Sequence, residues 1–381
     1  MILTLDDFEE KARRRLPRCL YGFASNGAER GASKVANAKS FEKWAFVPRT
    51  LIDVSNVSQE TSLFGINYNS PFGIAPMGAC ALFTYKADLD LAEAAHRQGV
   101  AHVLSAASTV PVEEVLERSP RSWYQGYIPA DEQIITRLVQ RLQAAKVPVM
   151  VITVDVPVSS NRDADRRAGF SIPVIPRPSL MLDGLMHPRW LVGTFFKTVL
   201  RDGIPRTPNF TDDKVGKPII TTPSRLSRTG RAKFSWEHVK LIRRLWSGPL
   251  VLKGVLSVDD CLLARQVGAD GVILSNHGGR QLDGAVAPLE VLPRVVDAVG
   301  DLPVCLDGGI RRGTDALKAI ALGARMVFLG RPMLFAASVG GRAGVEHAIQ
   351  IMRDEIACSL ALLGCTDVNR LNTSYLMPQQ L

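Results

Sequence analysis

The stretch SNHGGRQLDGA, residues 275–285, sets His277 and Arg280 three residues apart around two glycines, directly after the apolar run DGVIL. Imidazole is the side chain that gains and loses a proton near neutrality, and guanidinium is a planar fork matched to a carboxylate. A second apolar run, VMVITVD (149–155), ends in Asp155, with Arg162 just beyond it. A carboxylate beside a histidine orients the ring and stabilises the imidazolium. One base, one acidic partner and two guanidiniums are what the oxidation of a carbon next to a carboxylate calls for.

Other polar residues stand in the same relation to apolar runs. LDGGIRRGTDALK (306–318) and FLGRP (328–332) both end such a run in Gly and Arg and then begin a helical pattern. Glycine lets backbone N–H groups approach a phosphate, and a helix N-terminus favours an anion. Arg311 and Arg331 would add charge-assisted hydrogen bonds, so this pair of motifs points to a phosphorylated ligand. Lys253 ends the run LVLKG; at a strand end it suits either a Schiff base or the stabilisation of negative charge on a flavin ring.

The elements that must position these groups repeat along the chain. Short apolar runs occur at FGIAP (72–76), HVLSA (102–106), SWYQGY (122–127), VMVITVD (149–155), LVLKG (250–254), GVILSN (271–276), VCLDGG (304–309) and MVFLG (326–330). Amphipathic patterns such as DEQIITRLVQRLQAA (131–145) lie between them. Continuous apolar strands alternating with helices mean a parallel sheet buried on both faces. Eight such units predict an α/β fold, the closed (β/α)8 TIM barrel. Gln125, Tyr127, Thr153, Asp155, Lys253, His277, Asp307 and Arg331 all fall at or just past the C-terminal ends of different runs, and those ends converge on one face of a barrel. The chain reads as one domain over 1–381. Residues 1–70 form an N-terminal helical cap, 71–155 and 235–365 the barrel, and 156–234 a long basic connection after strand 4.

The bulk composition agrees with an enzyme of this kind. Apolar residues make up 46% of the 381 and charged residues 22%, enough for a large core. The longest apolar runs are too short to span a bilayer, and the N-terminus lacks the order of a signal peptide, so a cytoplasmic protein beginning near Met1 is expected. Six cysteines without CxxC or zinc-like spacing predict neither a disulfide framework nor a metal site. The net charge of +9 is concentrated between residues 160 and 245, where 17 Lys and Arg face 7 Asp and Glu. Such a patch meets anions. No nucleic-acid reading motif accompanies it, so a nucleic-acid partner is not expected.

Together SNHGGRQLDG, TVDVP, LVLKG, LDGGIRRGTD and FLGRP resemble the FMN-dependent 2-hydroxy acid dehydrogenase and oxidase family, whose members oxidise glycolate, lactate or mandelate. The resemblance runs from about residue 5 to 372 and implies non-covalent FMN in the barrel and a homo-tetramer. It places the flavin ring on Ala75, Pro76 and Met77, its polar edge on Ser105, Gln125 and Thr153, and its anionic region on Lys253, with Ser275 also among the cofactor contacts. The phosphate would lie on Gly309, Arg311, Gly330 and Arg331, with Asp307 on the ribityl chain. Tyr127 would bond the substrate hydroxyl or developing carbonyl, Arg162 and Arg280 the carboxylate, and His277, paired with Asp155, would take the proton. Both α-proton abstraction and hydroxyl deprotonation with hydride transfer fit that set.

Two departures from the family pattern bear on the substrate. The second position of its cap Tyr-x-Tyr is Phe23, and a loop position that is tryptophan in glycolate oxidases is Ala107. Both make the pocket roomier and more apolar, so a bulky or aromatic acid such as mandelate is expected over glycolate or lactate. Gly78 stands where oxidases commonly have alanine and hints at a dehydrogenase. The segment 183–210 resembles a membrane-binding segment. Within it RWLVGTFFKTVLR joins a Trp/Phe/Leu face to basic flanks, and is long enough to lie in an interface. A membrane quinone is thus the expected acceptor and the inner face of the cell membrane the expected place. The alternatives are a soluble oxidase that releases hydrogen peroxide, an L-lactate dehydrogenase and, in another class, an aldolase acting through Lys253.

Overall fold

Each of the eight apolar runs forms a strand in the computed structural model, which describes residues 1–170, 178–221 and 230–379. They are β1 (Phe72–Ile74), β2 (Ala101–Ser105), β3 (Trp123–Gly126), β4 (Met150–Thr153), β5 (Leu250–Val255), β6 (Gly271–Leu274), β7 (Val304–Asp307) and β8 (Met326–Leu329). Neighbours pair in parallel, and the ring closes where Val327 of β8 meets Phe72 of β1. The period-2 alternation of side chains splits the runs into two cores. Val103, Val151, Val251, Ile273, Cys305 and Phe328 fill the barrel interior. Leu104, Ile152, Leu252, Leu274, Leu306 and Val327 face the surrounding helices.

Those helices carry the amphipathic stripe that the sequence shows. Glu132–Ala144 starts where the Asp131 side chain accepts from the Ile134 N–H, and it buries Ile135, Leu138, Val139 and Leu142. Ala87–Gln98 stops at Gly99, whose φ of 67° only glycine adopts freely.

The N-terminal region does more than cap. Helices Leu5–Arg15, Arg18–Ser25 and Ala32–Lys39 precede a strand, Trp44–Phe46, that pairs with Leu376–Pro378 near the C-terminus. A hairpin of Thr61–Leu63 and Ile66–Tyr68 contributes Leu63 and Tyr68 to the interior core. Its Phe64 ring lies 5.5 Å from Trp123, which lies 5.5 Å from Phe328. Trp123 donates its indole N–H to the Tyr68 hydroxyl at 3.0 Å. This hairpin seals the N-terminal end of the barrel.

Parts of the long connection, residues 171–177 and 222–229, lie outside the described residues. The rest includes the helices Pro178–Leu185, Pro188–Trp190, a wider-turned Leu191–Phe196 and Lys197–Asp202, and the short antiparallel pair Arg206–Thr207 and Lys217–Pro218. Thr194 and Thr198 are buried, whereas Leu182, Leu185, Val192, Phe195, Phe196 and Leu200 are exposed. Trp190 departs from the expected apolar face: its indole N–H requires an acceptor and finds the Leu82 carbonyl at 2.8 Å. Further along, the buried Arg141 pairs with Glu113 at 2.7 Å and donates to the carbonyls of Pro208 and Thr211, tying the connection down. Among the described residues no helix is long and apolar enough to cross a membrane.

Candidate active site

Twenty residues carry the expected chemistry, and sixteen of them line one cavity of about 280 Å³ at the C-terminal ends of the strands. Of the other four, Asp155 and Ser275 contact the lining residues His277 and Lys253, and Ser105 and Gln125 are buried at the C-terminal ends of β2 and β3.

The proton-handling group is assembled from β3, β4 and β6. His277 follows β6 with a φ of 59°, a left-handed conformation uncommon outside glycine, and its N–H donates to Ser275 Oγ at 3.0 Å. Its Nδ1 lies 3.2 and 3.3 Å from the two Asp155 carboxylate oxygens. Its Nε2 lies 3.4 Å from the Tyr127 hydroxyl. Burial pushes the Asp155 carboxyl up, but His277, in charge and hydrogen bond, and Lys253 outweigh it and hold it below the usual carboxylate range. An ionised Asp155 places the ring proton on Nδ1 and leaves Nε2 to accept one. The glycine after Lys253 makes this possible: Gly254 has φ 96°, and a Cβ there would sit 2.5 Å from the Asp155 carboxyl carbon.

Beside it lies a cradle with the polarity of a flavin. Lys253 Nζ is 2.6 Å from Asp307 Oδ2 and 2.8 Å from Ser275 Oγ. Burial lowers the affinity of Lys253 for its proton, yet Asp307 and Asp155 more than offset this and raise it above the ordinary lysine range. The two carboxylates favour the ammonium form, which suits negative charge on a flavin ring. Both amide atoms of the fully buried Gln125 and the Asp307 Oδ1 have no protein partner. Buried polar atoms are normally satisfied, so these three call for a polar ligand, as the edge of an isoalloxazine ring and a ribityl hydroxyl would supply.

At the far side Gly309, Arg311, Gly330 and Arg331 line the cavity, with Gly330 opening the helix Arg331–Leu363. Burial, and then the charge of Arg311, bring Arg331 down to about 10. Burial, and then Arg331, do the same to Arg280. Crowded cations that depress one another need anions to balance them. These features fit FMN.

The chain belongs to the family described as FMN-dependent dehydrogenase, which it matches over residues 12–378. It is 35% identical to the (S)-mandelate dehydrogenase of Pseudomonas putida over 98% of this chain and 94% of that one. It is also 37% identical to the L-lactate oxidase of Nostoc sp. over 98% of each, and 36% identical to glycolate oxidase 3 of Oryza sativa subsp. indica over 99% and 96%. A crystal structure of the monotopic membrane protein (S)-mandelate dehydrogenase superposes with a TM-score of 0.93 at 35% identity, covering 99% of this chain and all of that one. The protein is accordingly an FMN-dependent enzyme that oxidises a 2-hydroxy acid.

Several placements differ from expectation or extend it. Arg331 spends three N–H groups on the carbonyls of Ala24, Asn26 and Gly278, which locks the cap to the barrel and leaves two donors for the cavity. Arg280 likewise donates to the carbonyls of Phe23 and Asn26 in the cap and lies 4.8 Å over the Phe23 ring. Phe23, itself tilted against Phe170 with ring centres 4.3 Å apart, thus holds a guanidinium by its face. The Asn37–Asn276 pair, bonded both ways at 2.7 Å, was not foreseen, because its partners are 239 positions apart. Nor was Lys34, a further cation whose affinity for its proton burial and Arg331 lower.

Proposed function

We propose that the chain oxidises a bulky or aromatic (S)-2-hydroxy acid of the mandelate type to the 2-oxo acid and passes the electrons to a membrane quinone. The observation that carries this reading is the convergence of the Asp155–His277–Tyr127 chain with Arg162 and Arg280 on one wall of the flavin cradle. Arg162 and Arg280 hold the substrate carboxylate. The Tyr127 hydroxyl bonds the substrate oxygen, and His277 Nε2 takes one of the two protons that leave. Asp155 keeps the ring oriented and stabilises its charge. FMN, held by Ala75, Pro76, Met77, Ser105, Gln125, Thr153, Lys253, Ser275, Asp307, Gly309, Arg311, Gly330 and Arg331, supplies the acceptor for the two electrons. Both proton routes described above suit this geometry.

The bulky substrate is supported by what lines the cavity around Tyr127. Gly78 and Ala107 face each other there, alongside Phe23, Leu82, Val156 and Phe210. The exposed row Leu182, Leu185, Val192, Phe195, Phe196 and Leu200, flanked by Arg189, Lys197 and Arg201, supports a lipid surface as partner. In this reading the chain acts as a single domain, assembles as a tetramer, and lies peripherally on the inner face of the cell membrane.

An anaerobic screen of flavin absorbance against short, long and aromatic 2-hydroxy acids tests the substrate. Bleaching by (S)-mandelate at a kcat/KM at least tenfold above that for glycolate and lactate is expected, and the reverse order refutes the aromatic reading. Flotation with anionic vesicles tests the surface: the Phe195→Ser/Leu200→Ser variant should lose binding that the parent shows. Reoxidation by a soluble quinone analogue faster than by dissolved oxygen is expected of the acceptor, and the opposite makes the enzyme an oxidase.

A further inference from the structure

The first cap helix, Leu5–Arg15, ends against the long connection. Its last residue, Arg15, is half-buried. The Arg15 Nε is buried without a hydrogen-bond partner, and Nη1 reaches the Val339 carbonyl at 3.5 Å, a long and weak bond. Nη2 lies beside Gly193, where a Cβ would stand 3.9 Å away. Gly193 is exposed within Leu191–Phe196, so this edge of the guanidinium emerges next to the exposed Val192, Phe195 and Phe196. Arg189, also exposed, precedes Gly193 by about one helical turn and so shares its side of the segment. Burial lowers the affinity of Arg15 for its proton, and the like charge of Arg189 lowers it further. Among the described residues neither arginine forms an ion pair, whereas the neighbouring Arg14 pairs with Glu10. Two like charges at the rim of an apolar row suit an anion whose other end is apolar.

We propose that Arg15 and Arg189 form a headgroup site that takes the phosphate of an anionic phospholipid, while the apolar row beside them enters the acyl region. This rests on the reading of the exposed row as a lipid-facing surface and deepens it. A guanidinium holds a phosphate through paired, charge-assisted N–H bonds. Half-buried, Arg15 is screened less by salt than a charge in open water, so its bond outlasts those of the exposed lysines and arginines around it. The basic excess over residues 160–245 attracts any anionic surface without choosing a group on it. Arg15 lies outside that stretch and reaches it only through the fold. A headgroup bound here would bridge the cap helix and the long connection.

The test is flotation of the FMN-loaded enzyme with phosphatidylcholine vesicles that contain or lack phosphatidylglycerol. The parent is expected to partition about tenfold or more in favour of the anionic vesicles. Arg15→Gln should cut that ratio about fivefold, and Arg189→Gln, at an exposed position where folding is not at stake, should do the same. Arg14→Gln removes an equal charge from the same helix and should change the ratio by less than about twofold. Equal losses in Arg14→Gln and Arg15→Gln would reduce the effect to bulk charge and overturn the proposal. An unchanged ratio in both Arg15→Gln and Arg189→Gln would overturn it as well. Loss of the anionic preference in inorganic phosphate at constant ionic strength would assign the site to free phosphate, against the lipid. A parent that floats with neither vesicle defeats the lipid-surface reading itself, a result distinct from the others, in all of which the parent floats.

Discussion

The two ends of the barrel are built from the same eight strands and have opposite chemistry. At the N-terminal end Phe64, Trp123 and Phe328 interlock under the hairpin, with one side-chain hydrogen bond between Trp123 and Tyr68. At the C-terminal end Lys253, Asp307, Asp155, His277 and Arg280 crowd together, and Gln125 and Asp307 keep polar atoms without protein partners. The first end is complete in itself, and the second is complete only with ligands. A parallel barrel separates these tasks because every strand delivers its last residue to the same side, so stability and reactivity can be altered with little interference.

The largest expected effect comes from His277→Gln. Flavin bleaching by substrate should fall by about 10²–10⁴-fold while bound FMN and the melting temperature stay close to wild type. A rate near that of the parent would remove His277 as the base. Trp123→Ala probes the opposite end: it should cost about 3–5 kcal/mol of stability in denaturant titration, with kcat of the surviving folded enzyme hardly changed. A selective loss of kcat would break the separation of tasks. Gly254→Ala tests the seam between them, since the added methyl would meet the Asp155 carboxyl and an alanine would have to adopt φ 96°. A loss of about 1–3 kcal/mol together with a fall in kcat of about tenfold is expected, and an intact kcat would show that Asp155 has room to move.

The smallest effect sharpens the comparison, because it concerns a charge on the outer helices, away from both ends, that serves stability alone. Burial raises the Glu113 carboxyl, but its hydrogen bonds and ion pair with Arg141 bring it down to about 2 from an ordinary 4.5. Its folded value is depressed, so the stabilisation is full above about pH 4.5 and disappears as pH falls towards 2. Glu113→Gln should therefore lower stability at pH 7 by about 1 kcal/mol, allowing for the partial exposure of the carboxylate. The two melting temperatures should converge as the pH drops through that window.

Much of the reactive end was legible in the sequence. A strand buried on both faces must be apolar throughout, so a lysine or aspartate at or near its end, as in LVLKG and VCLD, stands out and marks the C-terminal side. The sealed end was not legible. Leu63 and Tyr68 belong to strands of three residues, too short for a period, Phe64 lies in the turn between them, and their partners Trp123 and Phe328 are distant in the chain. The inward turn of Trp190 was hidden for a related reason: its acceptor is a backbone carbonyl, Leu82, which no side-chain pattern announces. Arg231 was counted only as one charge in a basic stretch, since its burial depends on where the long connection closes.

The contact between Gly78 and Ala107 has a consequence for descent. A methyl added at Gly78 would meet the Ala107 methyl at 2.7 Å, so the two positions form one inherited character. Alanine at 78 therefore requires either glycine at 107 or a shift of the loop that carries one of them, and a pair such as alanine with tryptophan requires the shift. The order of the two changes therefore matters. Single-site libraries at either position will understate what the pair can tolerate, and combined libraries will recover variants that neither reaches alone.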